Sequence, residues 1–402
     1  MILHKHITTI TFYTLASTYS TFFTKSSRSM NLSSKSVERS SRYTRMAILA
    51  ITFLLTLIGF IFIYSSSSVY ALEQHGSALF FVKRQLVGFA ISLFILIATV
   101  SINPRALKKL SPFLFIGAFC LTALTLIPAL RISVHGSNRW IHIFSIVFQP
   151  SELLKPAAIL LCAYFLSTRH HAIKSFFASY LPVLLCTGLV ACMLLLQPDF
   201  GQTITLTATI LCMLFIAQTP SSYLAYTALL FAPIGAILII LKPYRLQRIL
   251  TFLNPWQDPQ GKGFQIIQSL IAIGSGGVSG VGIAHSRQKF FYLPMQHTDF
   301  IFSIIAEETG FIGCAIILFL FFAFFVCGVR LATKSNDMFS RFAIFGATFM
   351  LVLQAFVNIS VTTALLPTKG LSLPFISYGN SALISSFWLV GIILCCSRRQ
   401  DL

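Results

Sequence analysis

The sequence predicts an all-α, polytopic membrane protein with about ten transmembrane helices. Of its 402 residues, 56% are hydrophobic and only 10% are charged, and the mean hydropathy is +0.83. Soluble domains carry about 25% charged residues, so a water-soluble fold could not bury this much apolar surface. The apolar runs are continuous over about 20 residues, as membrane-crossing helices require, whereas a transmembrane β-barrel needs short alternating segments.

Ten apolar runs account for the predicted helices. They are 46–65, 86–102, 113–130, 153–167, 179–196, 202–218, 223–241, 300–327, 342–365 and 375–396. An even number of crossings places both termini on one side of the membrane. The basic residues of the N-terminal segment, together with Arg398 and Arg399, predict that this side is the cytoplasm. The longest connection, 242–299 between helices 7 and 8, is then a large extracytoplasmic loop.

The first 45 residues differ in composition from the membrane domain predicted for 46–397. They contain 18 Ser and Thr, seven Lys and Arg, and a single acid, Glu38. This composition predicts a basic cytoplasmic tail. An organelle transit peptide, or a true start at Met30 or Met46, would explain it as well. Across the whole chain the formal charge is +19, but the basic residues lie between apolar runs. That arrangement indicates membrane anchoring rather than nucleic-acid binding.

Five of the ten acidic residues lie within or beside the apolar runs, where an ionised carboxylate is costly. They are Glu152, Asp199, Asp299, Glu307 and Glu308. Asp299 lies where the large loop enters the membrane, so partial burial could raise its pKa and suit it to general-base catalysis. Alternatively, Thr298 or Asp299 caps the following helix. Glu307 lies about 12 Å further along that helix, so we expect Glu307 and Glu308 to pair with buried basic residues or to shape a polar cavity.

Basic and aromatic residues form further candidate sites. Glu152 and Lys155 have the i,i+3 spacing of a helical ion pair. Trp140 follows Arg139 and could equally be an interfacial aromatic anchor. The basic residues of the large loop suit a lipid pyrophosphate, because guanidinium groups bind phosphate oxygens bidentately, although anionic lipid headgroups would also explain them. These loop residues are Arg245, Arg248 and Lys289.

These motifs together, in this order, resemble the SEDS family (shape, elongation, division and sporulation) over roughly residues 50–397. The matching segments are Arg139-Trp140-Ile141, Gln149-Pro150-Ser151-Glu152 with Lys155, Gln197-Pro198-Asp199-Phe200-Gly201, Asn254-Pro255-Trp256, Gly274-Ser275-Gly276-Gly277, Gln288 to Pro294, His297 to Phe302 and Leu373 to Gly379. The Gln288-Lys289 segment is more similar to the cell-division branch than to the elongation branch. Two positions depart from the family pattern: Met295 replaces a Glu, and Asn380 replaces a Gly.

The resemblance implies a peptidoglycan glycosyltransferase that polymerises lipid II at the outer face of the bacterial cytoplasmic membrane, at the division septum. Asp299 matches the family's catalytic position. The implied substrate-binding residues are Arg139, Trp140, Lys155, Arg245, Arg248, Lys289, His297 and Ser377. The implied structural polar network comprises Glu152, Asp199, Glu307 and Glu308. No tightly bound cofactor is implied, although a divalent cation (Mg or Mn) could assist the leaving pyrophosphate.

The implied partners are lipid II, a class B penicillin-binding transpeptidase and other division proteins. Three alternatives remain open from the sequence. A lipid II flippase would use intramembrane acids and a polar cavity equally well. A scaffold would only position the transpeptidase. A polymerase of the elongation branch would perform the same chemistry in another process.

Overall fold

The computed structural model describes residues 34–128, 131–134, 137–143, 146–169, 175–240, 243–261, 263–288 and 296–398. The predicted basic tail lies mostly outside these residues. The chain divides into two units, Met1–Thr44 and Arg45–Leu402. In the first unit, the described residues are the opening turns of a long helix.

Twelve α-helices make up most of the described chain. They are α1 (Ser34–His75), α2 (Phe80–Ser101), α3 (Pro104–Ala123), α4 (Pro150–Thr168), α5 (Leu181–Leu196), α6 (Phe200–Ile216), α7 (Ser221–Ile240), α8 (Pro243–Leu253), α9 (Phe264–Gly276), α10 (Ile301–Lys334), α11 (Met338–Thr362) and α12 (Asn380–Cys396). Each of the ten predicted runs overlaps one helix. Among the described residues, seven helical segments are long and apolar enough to cross a membrane. The polytopic helical class is therefore confirmed, whereas the number ten stays a prediction.

A small β-sheet interrupts the helical pattern between α3 and α4. Its three antiparallel strands are β1 (Arg131–Val134), β2 (Ser137–Ile143) and β3 (Ile146–Phe148), in the order β1-β2-β3. Trp140 pairs with Ile132, where the register of β1 and β2 shifts by a bulge. The sequence did not predict this sheet, because strands of three to seven residues are too short to produce a pattern distinct from the neighbouring apolar runs.

The core lies where α4, α11 and α12 pack together, and α2 packs along α12. The region 242–299 is not an irregular loop, because it contains α8 and α9. The departure at Asn380 does not strain the backbone: Asn380 is the first residue of α12 and has no positive φ. Met295 lies outside the described residues.

α10 is broken at Gly310, which has φ 65° and ψ −161°. The glycine-rich segment after α9 fills this break. The N–H of Val281 donates to the carbonyl of Glu307 at 3.0 Å, and the N–H of Phe311 donates to the carbonyl of Gly277 at 2.9 Å. Backbone groups at membrane depth must be satisfied within the protein, so this pairing stabilises the broken helix.

Candidate active site

Asp299 lies in the turn 296–300, immediately before α10. The N-cap position of α10 is Phe300, and no side chain makes a capping hydrogen bond there. Neither Thr298 nor Asp299 therefore occupies the N-cap position of α10.

Charged groups from three separate parts of the chain act electrostatically on the Asp299 carboxylate. Burial is the largest influence on Asp299 and raises its pKa to about 6, and the charge of Asp199 also raises it. Two arginines, Arg139 of β2 and Arg248 of α8, act in the opposite direction and lower this pKa. A carboxyl group that titrates near neutral pH can accept a proton in one step and release it in the next. The structure thus brings together four residues that the sequence singled out from four distant motifs.

Arg139 joins the sheet to the turn before α6. Its Nη1 forms an ion pair with Asp199 Oδ2 at 3.1 Å, its Nε donates to the Gln197 carbonyl at 3.0 Å, and its Nη2 donates to the Pro198 carbonyl. Asp199 also caps α6 by accepting from the Gln202 N–H at 3.1 Å. A guanidinium has five N–H groups. Since these contacts occupy three of them, Arg139 retains at most two for a substrate.

A buried polar network continues from this turn through the centre of the helices. Gln202 donates to Glu152 Oε1 at 2.6 Å, and Lys155 Nζ lies 2.6 Å from Glu152 Oε2, which confirms the predicted ion pair. Lys155 also donates to Gln354 at 3.0 Å, and Gln354 donates to the Ser372 carbonyl at 2.9 Å. The side chain of Lys155 is only 2% exposed. The ammonium group of Lys155 is enclosed by the network, and its role in substrate binding stays a prediction.

His297 and Ser377 also have internal partners. The His297 ring lies among aromatic rings, with centroids 4.5 Å from Phe81, 5.6 Å from Tyr378 and 6.0 Å from Tyr70. Burial lowers the pKa of His297 to about 4, so its ring is neutral near pH 7. The Ser377 hydroxyl donates to the Thr298 carbonyl at 2.7 Å and is buried. Both residues support the turn that carries Asp299, and their roles as substrate contacts stay predictions.

The remaining predicted substrate residues differ in their accessibility. Arg248 is exposed, and its Nη1 donates to the Thr368 carbonyl at 3.4 Å. Trp140 is half-buried in β2. The side chain of Arg245 and the whole of Lys289 lie outside the described residues. Arg248 is thus the predicted pyrophosphate ligand with a described, accessible guanidinium.

Glu307 and Glu308 are buried beside the break in α10. Glu307 accepts from the Ser286 hydroxyl and from the Arg287 N–H at 2.9 Å. Glu308 accepts from the Ser65 hydroxyl at 2.6 Å. Within the described part of the chain, their partners are hydroxyl and backbone donors, so the expected pairing with basic side chains was wrong there. Their place in a structural polar network is supported by these contacts.

The divalent cation that the resemblance implies stays a prediction, and the described residues offer it few ligands. Two guanidinium groups approach this carboxylate, and Asp199, the second carboxylate, is already paired with Arg139. Across the residues described, no group of three or more His, Cys, Asp or Glu side chains could hold a metal ion. Magnesium and manganese prefer several oxygen ligands together.

Sequence reasoning missed two amides of α11, Gln354 and Asn358. Gln354 ends the network of Lys155, and Asn358 donates to the Asp299 carbonyl at 2.9 Å. A signal was present, because two carboxamides four residues apart in an apolar run share one helix face. Buried amides in a membrane helix need partners, so they mark a polar contact between elements.

The fold and the site together define a polytopic helical membrane protein in which two arginines act electrostatically on a carboxylate just before a broken helix. A family model described as "Cell cycle protein", for FtsW, RodA and SpoVE proteins, matches residues 45–402. The chain belongs to this family, the SEDS family.

Relatives of known name resemble the chain over almost its whole length. The "Probable peptidoglycan glycosyltransferase FtsW" of Geobacter sp. (strain M18) is 41% identical over 355 residues, which are 88% of this chain and 97% of that protein. The "Stage V sporulation protein E" of Bacillus subtilis (strain 168) is 38% identical over 353 residues, 88% of this chain and 96% of that protein.

Two solved structures share the fold. A chain from "Structural coordination of polymerization and crosslinking by a peptidoglycan synthase complex" has a TM-score of 0.72 and 29% identity, covering 87% of this chain and 96% of that chain. The rod shape determining protein RodA of Thermus thermophilus has a TM-score of 0.65 and 27% identity. The similarity covers 88% of this chain and 97% of that chain.

Proposed function

We propose that this chain is a peptidoglycan glycosyltransferase that polymerises lipid II into glycan strands during cell division, with Asp299 as the general base. The observation that carries the proposal is the Asp299 carboxylate, whose pKa is raised to about 6 beside Arg139 and Arg248. The names of relatives at about 40% identity support the same activity. The large region 242–299 is proposed to lie on the outer face of the cytoplasmic membrane, at the septum.

The chemistry follows from the charges of the site. The Asp299 carboxylate accepts the proton of the acceptor sugar hydroxyl, and the hydroxyl oxygen forms a bond to the anomeric carbon of the donor sugar. The bond between that carbon and the phosphate oxygen breaks, and undecaprenyl pyrophosphate leaves. Arg248 is the accessible guanidinium that would hold the leaving charge, because charge-assisted contacts to phosphate are strong. Arg139 keeps Asp199 in place and stabilises the ionised form of Asp299.

A transpeptidase partner is part of the proposal. A glycan polymerase needs a crosslinking enzyme to convert its strands into a wall, and one structurally similar chain comes from a complex that couples polymerisation with crosslinking. We propose a class B penicillin-binding transpeptidase as the partner. The lipid substrate requires that the site open sideways to the bilayer, so that the long prenyl chain remains among lipids.

The test measures gel-resolved glycan made from lipid II by the protein with its partner in detergent. Wild type should polymerise, and Asp299→Asn should lose about 10²–10⁴-fold, the usual effect of losing a general base. Asp299→Ala should be no better. Both variants should keep the thermal stability of the wild type, because Asp299 caps no helix. The matched control is Glu73→Gln at an exposed carboxylate of α1.

Detergent removes the two-sided membrane that a flippase needs. A wild type that makes no glycan under these conditions contradicts the polymerase and favours lipid transport. A stable Asp299→Asn variant with full activity removes Asp299 from the catalytic role.

A further inference from the structure

The turn that carries Asp299 is held through its backbone. The three consecutive carbonyl oxygens of residues 297–299 each accept one hydrogen bond from outside the turn. The donors are the Tyr378 N–H at 2.9 Å, the Ser377 hydroxyl at 2.7 Å and the Asn358 carboxamide at 2.9 Å. Because three successive peptide units are pinned, the direction in which Asp299 projects its side chain is fixed.

Asn358 differs from the other two donors, because it makes two such bonds from a separate helix. Its Nδ2 donates to the Asp299 carbonyl at 2.9 Å and to the Leu371 carbonyl at 2.6 Å, and its side chain is buried in α11. Leu371 follows Gly370, and the Asp299 carboxylate lies against Gly370. One carboxamide therefore fixes both the backbone that carries the carboxylate and the loop against which the carboxylate rests.

We propose that Asn358 is a positioning residue for Asp299: it clamps the Asp299 turn to the loop at Leu371 and so holds the carboxylate in its reactive orientation. The catalytic consequence rests on the proposed function, whereas the clamp itself is a property of the fold. Asn358 touches none of the reacting groups.

The clamp predicts a selective effect on catalysis. Misplacing a reactive group by about 1 Å can cost about 10²-fold in rate without changing the groups that bind substrate. Removing the two donors of Asn358 leaves two buried carbonyls without these bonds, so the turn and the loop separate. We therefore expect kcat to fall while KM for lipid II changes little.

The clamp also predicts a shift in pH dependence. The charged and titratable groups around Asp299 are Arg139, Asp199 and Arg248, with His297 in the same turn and Lys369 in the facing loop. Asn358→Leu alters none of them, but it lets more water reach the carboxylate. Since burial is what raises the pKa of Asp299, the pKa should fall towards that of an exposed Asp. The acid limb of kcat/KM should then move to lower pH.

Two substitutions remove the donors in different ways. Asn358→Leu keeps the approximate volume without polar atoms, and Asn358→Asp keeps the shape but replaces the NH₂ group by an acceptor. The matched control is Thr348→Val, at a buried residue of α11 whose hydroxyl bonds only within its own helix, to the Ile344 carbonyl at 2.8 Å. If Asn358→Leu does not insert into the membrane, Asn358→Asp tests whether Asn358 acts as the clamp.

The experiment combines glycan synthesis with hydrogen exchange on the full-length protein. We expect both Asn358 variants to lose about 10²-fold in kcat, with KM within about threefold. Asn358→Leu should also shift the acid limb to lower pH, whereas the added carboxyl group of Asn358→Asp opposes that shift. The amide of Tyr378, which bonds to the His297 carbonyl, should exchange faster in these variants. Thr348→Val should match the wild type in all four measurements.

Hydrogen exchange separates this proposal from the function on which it rests. If the wild type makes no glycan, the proposed function fails, and faster exchange in the 371–379 peptides still supports the clamp. Wild-type exchange in both Asn358 variants overturns the clamp, whatever the activity. Unchanged kcat and an unchanged acid limb overturn the positioning role.

Discussion

The Asp299 carboxylate lies against the α-carbon of Gly370, so closely that a β-carbon built on Gly370 would be 3.1 Å from Asp299 Oδ2. This separation is shorter than an ordinary van der Waals contact. The loop after α11 therefore forms one wall of the site, and a glycine at this position leaves room for the carboxylate. No charge or motif at Gly370 revealed this relationship in the sequence.

Gly370→Ala tests the wall directly. The added methyl group would displace the carboxylate by a few tenths of an ångström, so we expect glycan synthesis to fall about tenfold, equivalent to about 1.4 kcal/mol of activation free energy. Thermal stability should change little, because Gly370 is exposed. The control is Gly117→Ala, where a β-carbon would meet no atom within 4 Å. Equal rates for the two variants would contradict the close approach.

The pH dependence of the reaction should report Asp299. Its pKa is about 6 and its ionised form is the base, so kcat/KM should be level above about pH 6 and fall tenfold per unit below it. Arg139 lowers this pKa. Arg139→Gln should therefore raise the pKa, and the acid limb should move to higher pH. His297, with a pKa of about 4, does not titrate in this window.

Glycan synthesis measured from pH 5 to 8 gives the midpoint of the acid limb for the wild type and for Arg139→Gln. The two proteins are compared by the pH at which the acid limb falls and not by their absolute rates. Arg139→Gln also breaks the ion pair with Asp199 and so lowers the overall rate. A limb that moves to lower pH in Arg139→Gln would contradict the electrostatic assignment.

The helices were predictable because each extends over an apolar run long enough for a membrane. The sheet was not, since its strands are short and rich in the Ile and Val that also fill membrane helices. The helices α8 and α9 were hidden for a related reason: a turn-rich, glycine-containing segment indicates a loop even when helices alternate with its turns.

The site was predictable only in part. Asp299, Asp199 and Arg139 were identified because charges near apolar runs are rare, and the structure brings them together. The enclosure of Lys155 was not predictable, because a charge in a motif does not reveal whether a partner encloses it. The positioning contacts of Asn358 and Gly370 depend on backbone carbonyls and close approach, which no residue type encodes.

The Glu152–Lys155 pair should contribute to stability rather than to binding. Both side chains are almost completely buried, and their charged atoms lie 2.6 Å apart. Lys155→Met leaves the Glu152 carboxylate without its ion partner and should cost roughly 3–5 kcal/mol of unfolding free energy. The double variant Glu152→Gln with Lys155→Met should recover much of that loss, because no unpaired charge remains.

Denaturant unfolding in detergent compares these variants. The control is Lys83→Gln, at an exposed lysine of α2, which should change stability by no more than about 0.5 kcal/mol. A Lys155→Met variant that is stable but binds lipid II poorly would support the substrate-binding prediction.

The contact between Gly88 of α2 and Asn380 of α12 supplies the last prediction. A β-carbon on Gly88 would lie 2.4 Å from Asn380 Oδ1 and 3.0 Å from Asn380 Cβ, so rotating the Asn380 side chain cannot relieve the clash. Gly88→Ala should therefore push the two helices apart and cost about 1–3 kcal/mol. Asn380→Ala removes the side-chain amide and should restore part of this loss when combined with Gly88→Ala. Thermal unfolding of both single variants and the double variant measures the coupling. Strictly additive effects would mean that the two residues do not share this contact.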